Sequence, residues 1–307
     1  ETQPRPVPKP AVNQNDRFLS LFAALGVNDM KFDHSWNALL HPGRATRFFH
    51  VPPHACGGMH RFRPHVTGFS RINAWWLSEL SRLIYHNDAD QRARILADFG
   101  FHEIFFTNQQ ECQCAIVSNP QPHPPFAIVV FRGTHAFNTW LSNLTVLQCA
   151  WNGGGMVHVG FKRELNRVWP LLDSALQAIP SAWPVIYTGH SLGGALAILA
   201  GSIRPAHAVY TFGSPKVGDA VFARRMAAHA IYRLVNNQDI VAQLPPSRIP
   251  FDFYHAGQSI HYQDDGPFAN GMPPQYDRKS LFENPPDFLC DHAPINYTIQ
   301  LTRKIYF

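Results

Sequence analysis

The chain has 307 residues, 45% of them hydrophobic and only 15% charged, which is enough apolar material for one large buried core. Its net charge of +5 comes without a long basic run, so nucleic-acid binding is excluded, while a mildly cationic surface suits anionic lipid interfaces. Five cysteines (Cys56, Cys112, Cys114, Cys149, Cys290) are too few and too scattered for a disulfide framework.

Residues 1–12 hold four prolines and little that can pack, and read as a flexible tail. Residues 13–67 are irregular and read as an N-terminal extension packed on the core, ahead of a main domain over 68–307. His50, His54, Cys56, His60 and His65 cluster there, but their spacing fits no common zinc pattern and no HExxH occurs, so no metal and no cofactor is expected. The chain opens on Glu1-Thr2-Gln3 and shows no signal-peptide apolar region. It reads as processed or trimmed, with a secreted or extracellular setting favoured over an intracellular one.

From Phe69 the pattern becomes regular. Ile72, Trp76, Leu80, Leu83 and Ile84 recur at helical spacing, and a shorter helix over 89–99 ends at Gly100. Three strands follow: Phe101 to Thr107, Cys112 to Ser118, and Phe126 to Phe131. The last, FAIVVF, is apolar throughout and predicts a central strand covered on both faces. It ends in Arg132-Gly133-Thr134, which puts Thr134 at the carboxyl edge of the sheet, where open α/β sheets bind ligands. Phe137, Trp140, Leu141 and Leu144 then fall at i, i+3, i+4 and i+7, a short helix with one greasy face and a lid candidate.

A strand over 145–151 and a Gly153-Gly154-Gly155 turn lead to a helix with Phe161, Leu165, Val168, Leu172 and Ala175 on one face. The stretch VIYTGHSLGGALA, Val185 to Ala197, then reads as strand, tight turn and helix. Its Gly189-His190-Ser191-Leu192-Gly193 matches GxSxG, in which a sharp reversal exposes a serine at the top of a sheet. The uncharged run over 179–203 is long enough to suggest a membrane span. Pro180, Pro184, Gly189, Gly193 and Gly194 within it argue for a buried strand and helix, and no transmembrane segment is expected. A buried strand over 208–212, a helix over 220–229 and a strand over 231–236 complete an alternation that predicts a mostly parallel sheet flanked by helices. Past Pro246, FDFYHAGQSIHY reads as a hairpin or an extended strand, 264–286 as a long loop, and 289–301 as a terminal helix or turn.

A serine nucleophile needs a histidine base and an acid to hold that base. With the GxSxG turn the chain order is serine, acid, histidine, so the search runs past Ser191. Asp239 follows the strand over 231–236 at the same sheet edge. Its rival, Asp219, stands at a helix start, where capping is the simpler role. His255, His261 and His292 are the late histidines; His292 follows a long loop, which suits a residue that must reach in from outside the sheet. Two backbone donors are needed for an oxyanion, and Leu192 and Thr134 are placed to supply them.

FRGT with Trp140 downstream, VHVGF, GHSLGGA, TFGSPKVGD and NNQDIVAQLPP, in this order, resemble the class 3 (fungal-type) lipases, a group that includes feruloyl esterases and phospholipases A1. The resemblance spans about residues 68–300, and FSRINAWWLSELSRLIY is similar to the opening helix of bacterial relatives. It implies an α/β-hydrolase fold, Ser191 as nucleophile, Asp239 as acid, Thr134 and Leu192 at the oxyanion hole, a lid after Thr134, and a base near the C-terminus with an aromatic soon after. His292 with Tyr297 fits that pattern; His255, in FYHAG, falls on a different family position. Asn236 or Asn237 stands where many members have histidine, and Ala242 where they have proline. The expected activity is hydrolysis of carboxylic esters, of triacylglycerol type, on lipids at an interface. Phospholipase A1 and feruloyl-type esterase are the alternatives on this scaffold, and an inactive lipid- or partner-binding protein the alternative from another class. The oligomeric state is left open.

Overall fold

A computed structural model of the chain describes residues 31–45, 47–49, 61–119, 125–134, 146–246, 252–263 and 285–306. After a short helix α1 (Trp36–Leu40), the long helix α2 (Arg71–Leu83) starts where the Ser70 hydroxyl accepts the Asn73 N–H. Helix α3 (Ala89–Ala97) is capped by Asp88 in the same way. Strands β1 (His102–Gln109), β2 (Cys112–Asn119) and β3 (Phe126–Phe131) pair antiparallel in succession. Helix α4 (Val159–Gln177), strand β6 (Val185–His190), helix α5 (Leu192–Ile203), strand β7 (Ala208–Phe212), helix α6 (Ala220–Arg225) and strand β8 (Ile231–Asn236) then alternate.

The main sheet runs β1-β2-β3-β6-β7-β8-β9, the last being Gln258–Tyr262, parallel from β3 onward, and its helices lie on both faces. This is the α/β-hydrolase arrangement expected from the alternation. Side chains of β2 and β3 sort by the period of two: Cys112, Cys114, Ile116, Val129 and Phe131 join α4 and α5 on one face, while Ala115, Val117, Ile128 and Val130 join α2 on the other. FAIVVF is buried along its whole length. Phe49 sits on the α2 face among Trp75, Trp76 and Phe99, so residues 47–49 belong to that core.

The α4 stripe packs on the core as expected, Ala175 at its half-buried margin, and Leu176 joins it. Three local expectations change. The strand over 145–151 reduces to β4 (Gln148–Ala150), which pairs with β5 (Met156–His158) in a separate two-stranded sheet, because the glycine turn folds it back there. The helix from Ala220 gives way at Met226 to a 3₁₀ turn. FDFYHAGQSIHY is no hairpin: β9 (Gln258–Tyr262) adds to β8 in parallel, and Tyr254 makes only an isolated bridge to Gly218. The chain ends in α7 (Asp287–Cys290) and α8 (Pro294–Tyr306), the latter with proline at its first position, where no N–H is missed. Among the described residues, no helix is long and apolar enough to cross a membrane.

Candidate active site

Ser191 stands between β6 and α5 with φ 59° and ψ −128°, a conformation that non-glycine residues adopt only when the surroundings enforce it, at a cost of about 1–3 kcal/mol. The enforcement is close backbone packing. A Cβ on Gly189 would overlap the Gly193 carbonyl, and one on Gly193 would overlap the Phe131 carbonyl at the end of β3. Only glycines let the turn close and press against the FRGT strand end. The Ser191 N–H is held by the Phe212 carbonyl at 2.8 Å. Among the described residues, its Oγ caps no helix N–H and is buried without a hydrogen-bond partner. As the first residue of α5, Leu192 has no intrahelical acceptor for its N–H. Thr134 follows the β3 end and is half-buried.

Asp239 and His292 come together. The imidazole Nδ1 lies 2.8 Å from Asp239 Oδ2 and 3.0 Å from Oδ1, both side chains fully buried. Since a carboxylate only accepts, the proton is on Nδ1 and Nε2 carries the lone pair. Asp239 Oδ1 also accepts the Val241 N–H at 2.8 Å, and Oδ2 accepts the Tyr297 hydroxyl at 2.6 Å. Burial first, and then the Asp239 charge, push the Tyr297 phenol well above its ordinary range, so it stays a donor. Gly213, at φ +59°, backs the pair; a Cβ there would stand 2.5 Å from Asp239 Oδ2 and 2.8 Å from His292 Nδ1.

The other titratable candidates are engaged elsewhere. His255 Nε2–H donates to the Ala242 carbonyl at 2.6 Å, and burial, then the Arg233 charge, lower its pKa to about 3, which keeps it neutral. His261 Nε2 lies 2.6 Å from the Asn237 carbonyl on the surface. Asp219 caps α6 by accepting the Phe222 N–H at 2.8 Å. Phe137, Trp140, Leu141 and Leu144 lie outside the described residues, as do His50, His54, Cys56 and His60.

Two sets of cross-ties escaped the sequence. Asn236 Nδ2 donates to the Asp291 carbonyl at 3.1 Å and Asn237 Nδ2 to the Asp291 carboxylate at 3.0 Å, so the two asparagines join the Asp239 loop to the His292 turn. His190 Nε2–H donates to the His292 carbonyl at 2.7 Å; its Nδ1 therefore accepts the Tyr85 hydroxyl at 3.1 Å, which in turn accepts the Gly133 N–H. Burial, then the neighbouring His292, hold His190 well below its ordinary pKa, so this relay stays neutral. A buried tyrosine thus links the FRGT turn, the GxSxG turn and the His292 turn. The aromatic after the late histidine was the one sequence signal for Tyr297; Tyr85 left none.

Comparison with known proteins meets this geometry. Residues 128–249 match the family described as Lipase (class 3), a span that runs from β3 through Ser191 and Asp239. Over that span the chain is similar to the class 3 lipases. A lipase of Rhizomucor miehei is 36% identical over 157 residues, 45% of this chain and 42% of that protein. "Secreted mono- and diacylglycerol lipase 1" of Fusarium solani is 33% identical over 151 residues, 46% of this chain and 44% of that protein. The chain thus spans less than half the length of these relatives. The crystal structure of a lipase from Rhizopus microsporus var. chinensis superposes with TM-score 0.50 at 27% identity, covering 63% of this chain and 72% of that one. That family match covers the stretch from β3 to β8 with its elbow, while Tyr85, the His292 turn and the 31–49 segment are read from this chain's own geometry.

Proposed function

We propose that the chain hydrolyses carboxylic esters of lipids, of acylglycerol type, through an acyl-serine intermediate. The observation that carries this reading is the buried Asp239–His292 pair, whose imidazole lies 4.5 Å from the ring of His190, the residue before a strained Ser191. Ser191 Oγ attacks the ester carbonyl while His292 Nε2 takes its proton, and Asp239 stabilises the imidazolium that forms. The carbonyl oxygen becomes an oxyanion facing the N–H groups of Leu192 and Thr134. Its collapse breaks the ester bond; the alcohol leaves with the proton from His292, and Ser191 is left acylated. Water, deprotonated by the same imidazole, then attacks the acyl-serine, releases the fatty acid and returns the proton to Ser191.

Lipid rather than small soluble esters is favoured by the similarity to the Rhizomucor and Fusarium lipases and by the greasy stripe Phe137, Trp140, Leu141 and Leu144 in the sequence. On this reading the protein makes peripheral contact with a lipid interface, and the Fusarium relative's description as secreted supports an extracellular setting.

A serine-reactive phosphonate with an acyl-like chain tests the chemistry. The wild type is expected to label and Ser191→Ala not to; an unlabelled wild type, or equal labelling of both, rules the hydrolase out in favour of a binding protein. Rates on a long-chain ester, followed through the concentration at which it forms an interface, test the surface contact. An abrupt rise is expected, and smooth saturation through that point removes the lid from the proposal.

A further inference from the structure

His34, Asp287 and Cys290 bring an imidazole nitrogen, a carboxylate oxygen and a thiol sulfur within 4.8 Å of one another. They come from two ends of the chain. Asp287 and Cys290, three residues apart on the single turn of α7, present one face. His34 reaches that face from the segment before α1, where its Nδ1 lies 3.5 Å from Asp287 Oδ1. A tetrahedral zinc ion with bonds of about 2.0–2.1 Å to nitrogen and oxygen has ligand edges of roughly 3.3–3.4 Å, so this pair already stands close to one edge of a coordination sphere.

His34 is held there by contacts that need no metal. The Asp33 N–H donates to Asn296 Oδ1 at 2.8 Å, and Asn296 Nδ2 donates to the Asp33 carbonyl at 3.0 Å and to the Cys290 carbonyl at 2.8 Å. Ala38 and Leu39 of α1 pack against Val241 and Ala293, next to the loops that carry Asp239 and His292. The Cys290 sulfur is buried and makes its shortest hydrogen bond to the Pro285 carbonyl at 3.1 Å, while the His34 and Asp287 side chains are 51% and 35% exposed. A soft ligand therefore lies on the inner side and two harder ligands on the side that solvent reaches. Thiolate and carboxylate together cancel the charge of a divalent ion.

We propose that His34, Asp287 and Cys290 form a binding site for a thiophilic divalent cation of the zinc class, which ties the N-terminal segment to the turn leading into His292. On binding, the thiol releases its proton to solvent and three protein ligands plus water complete the tetrahedron. The ion takes no part in ester hydrolysis. Its effect is mechanical: it joins residue 34 to α7, two residues before the predicted base. The expectation of no metal rested on spacing along the chain, and ligands more than 250 residues apart have no spacing signature.

Cobalt(II), titrated into the purified chain as a spectroscopic stand-in for zinc, tests the site. The wild type is expected to take up one equivalent with tetrahedral visible bands and a thiolate-to-cobalt charge-transfer band, bleached by added zinc. Cys290→Ser is expected to lose the charge-transfer band. His34→Ala, at a half-exposed position that leaves the core intact, is expected to weaken binding at least about tenfold, as even groups outside the ligand sphere are worth that much. A wild type without the charge-transfer band, or a His34→Ala variant that binds cobalt as the wild type does, overturns the proposal.

Discussion

Tyr297→Phe removes one oxygen from the interior and leaves the ring in place. Two hydrogen bonds go with it: the 2.6 Å bond donated to Asp239 Oδ2 and the 3.2 Å bond accepted from the Asn236 N–H. A bond to a buried carboxylate contributes about 1.5–3 kcal/mol, and an orphaned buried N–H adds about 1 kcal/mol more. The variant is expected to lose roughly 2–4 kcal/mol of stability, about 3–6 °C in the unfolding midpoint of a chain this size. Activity suffers separately. Without the phenol, Asp239 keeps His292 and the Val241 N–H as partners but can pivot about Oδ1, so the imidazole loses its fixed aim. If half of the bond energy serves the transition state, kcat falls about tenfold with KM nearly unchanged, since the hydroxyl faces the acid and away from any substrate. Steady-state rates on a soluble short-chain ester, measured well below the variant's own melting point, separate the two effects. A variant with wild-type kcat and wild-type stability would refute the claim that this hydroxyl holds the acid.

Gly213→Ala places a methyl 2.5 Å from Asp239 Oδ2 on a residue at φ +59°. The pair must move apart, and kcat is expected to fall at least about 100-fold, by the sensitivity of such sites to displacements near 1 Å; an active Gly213→Ala enzyme means that the described pair is not the working one. Tyr85→Phe strips the Gly133 N–H and His190 Nδ1 of a common partner and is expected to cost about 1–3 kcal/mol and lower kcat, with His190→Gln recovering part of neither; calorimetry and ester kinetics on both variants check this. Burial raises the Asp291 carboxyl from 3.8 to about 6, against hydrogen bonds from Asn237 and Gln238 that favour its charged form. Between those two values the folded state binds more protons than the unfolded state, so this group's contribution to stability falls as pH rises from about 4 to 6, by about 3 kcal/mol in all. Asp291→Asn is expected to flatten that slope in urea unfolding across the window, and parallel wild-type and variant curves would remove Asp291 as its source.

What was legible in the chain was whatever one segment can encode alone. FAIVVF reads as a doubly covered strand because its burial follows from six adjacent side chains, and GHSLG reads as an elbow because its two glycines pack against backbone close at hand. Asp239 and His292 could be named from chain order and loop position, since strands of a parallel sheet deliver their carboxyl ends to one edge. The irregular ends were harder: FDFYHAGQSIHY could be read as a hairpin or as a strand with an extension, because its alternation is the same whether its neighbour is β8 or a strand beside it in sequence, and the second reading holds. Contacts between loops were less legible, the aromatic after the late histidine being the one pointer among them. Tyr85 meets His190 across 105 residues, Tyr297 meets Asp239 across 58, and Asp33 meets Asn296 across 263, and no periodicity marks either partner. These ties share a property that explains why they are there. Parallel strands bring the FRGT, Ser191 and Asp239 segments to one edge, where the turn between α7 and α8 brings His292, but the sheet's hydrogen bonds end before the loops begin. The remaining freedom of each loop is removed by side chains that reach the next loop: Tyr85 from the FRGT turn to His190, His190 to the His292 carbonyl, Asn236 and Asn237 to Asp291, Tyr297 to Asp239. None of them is addressed to a substrate. Their loss should therefore appear in kcat and stability together and leave KM alone, which distinguishes a positioning frame from a binding pocket.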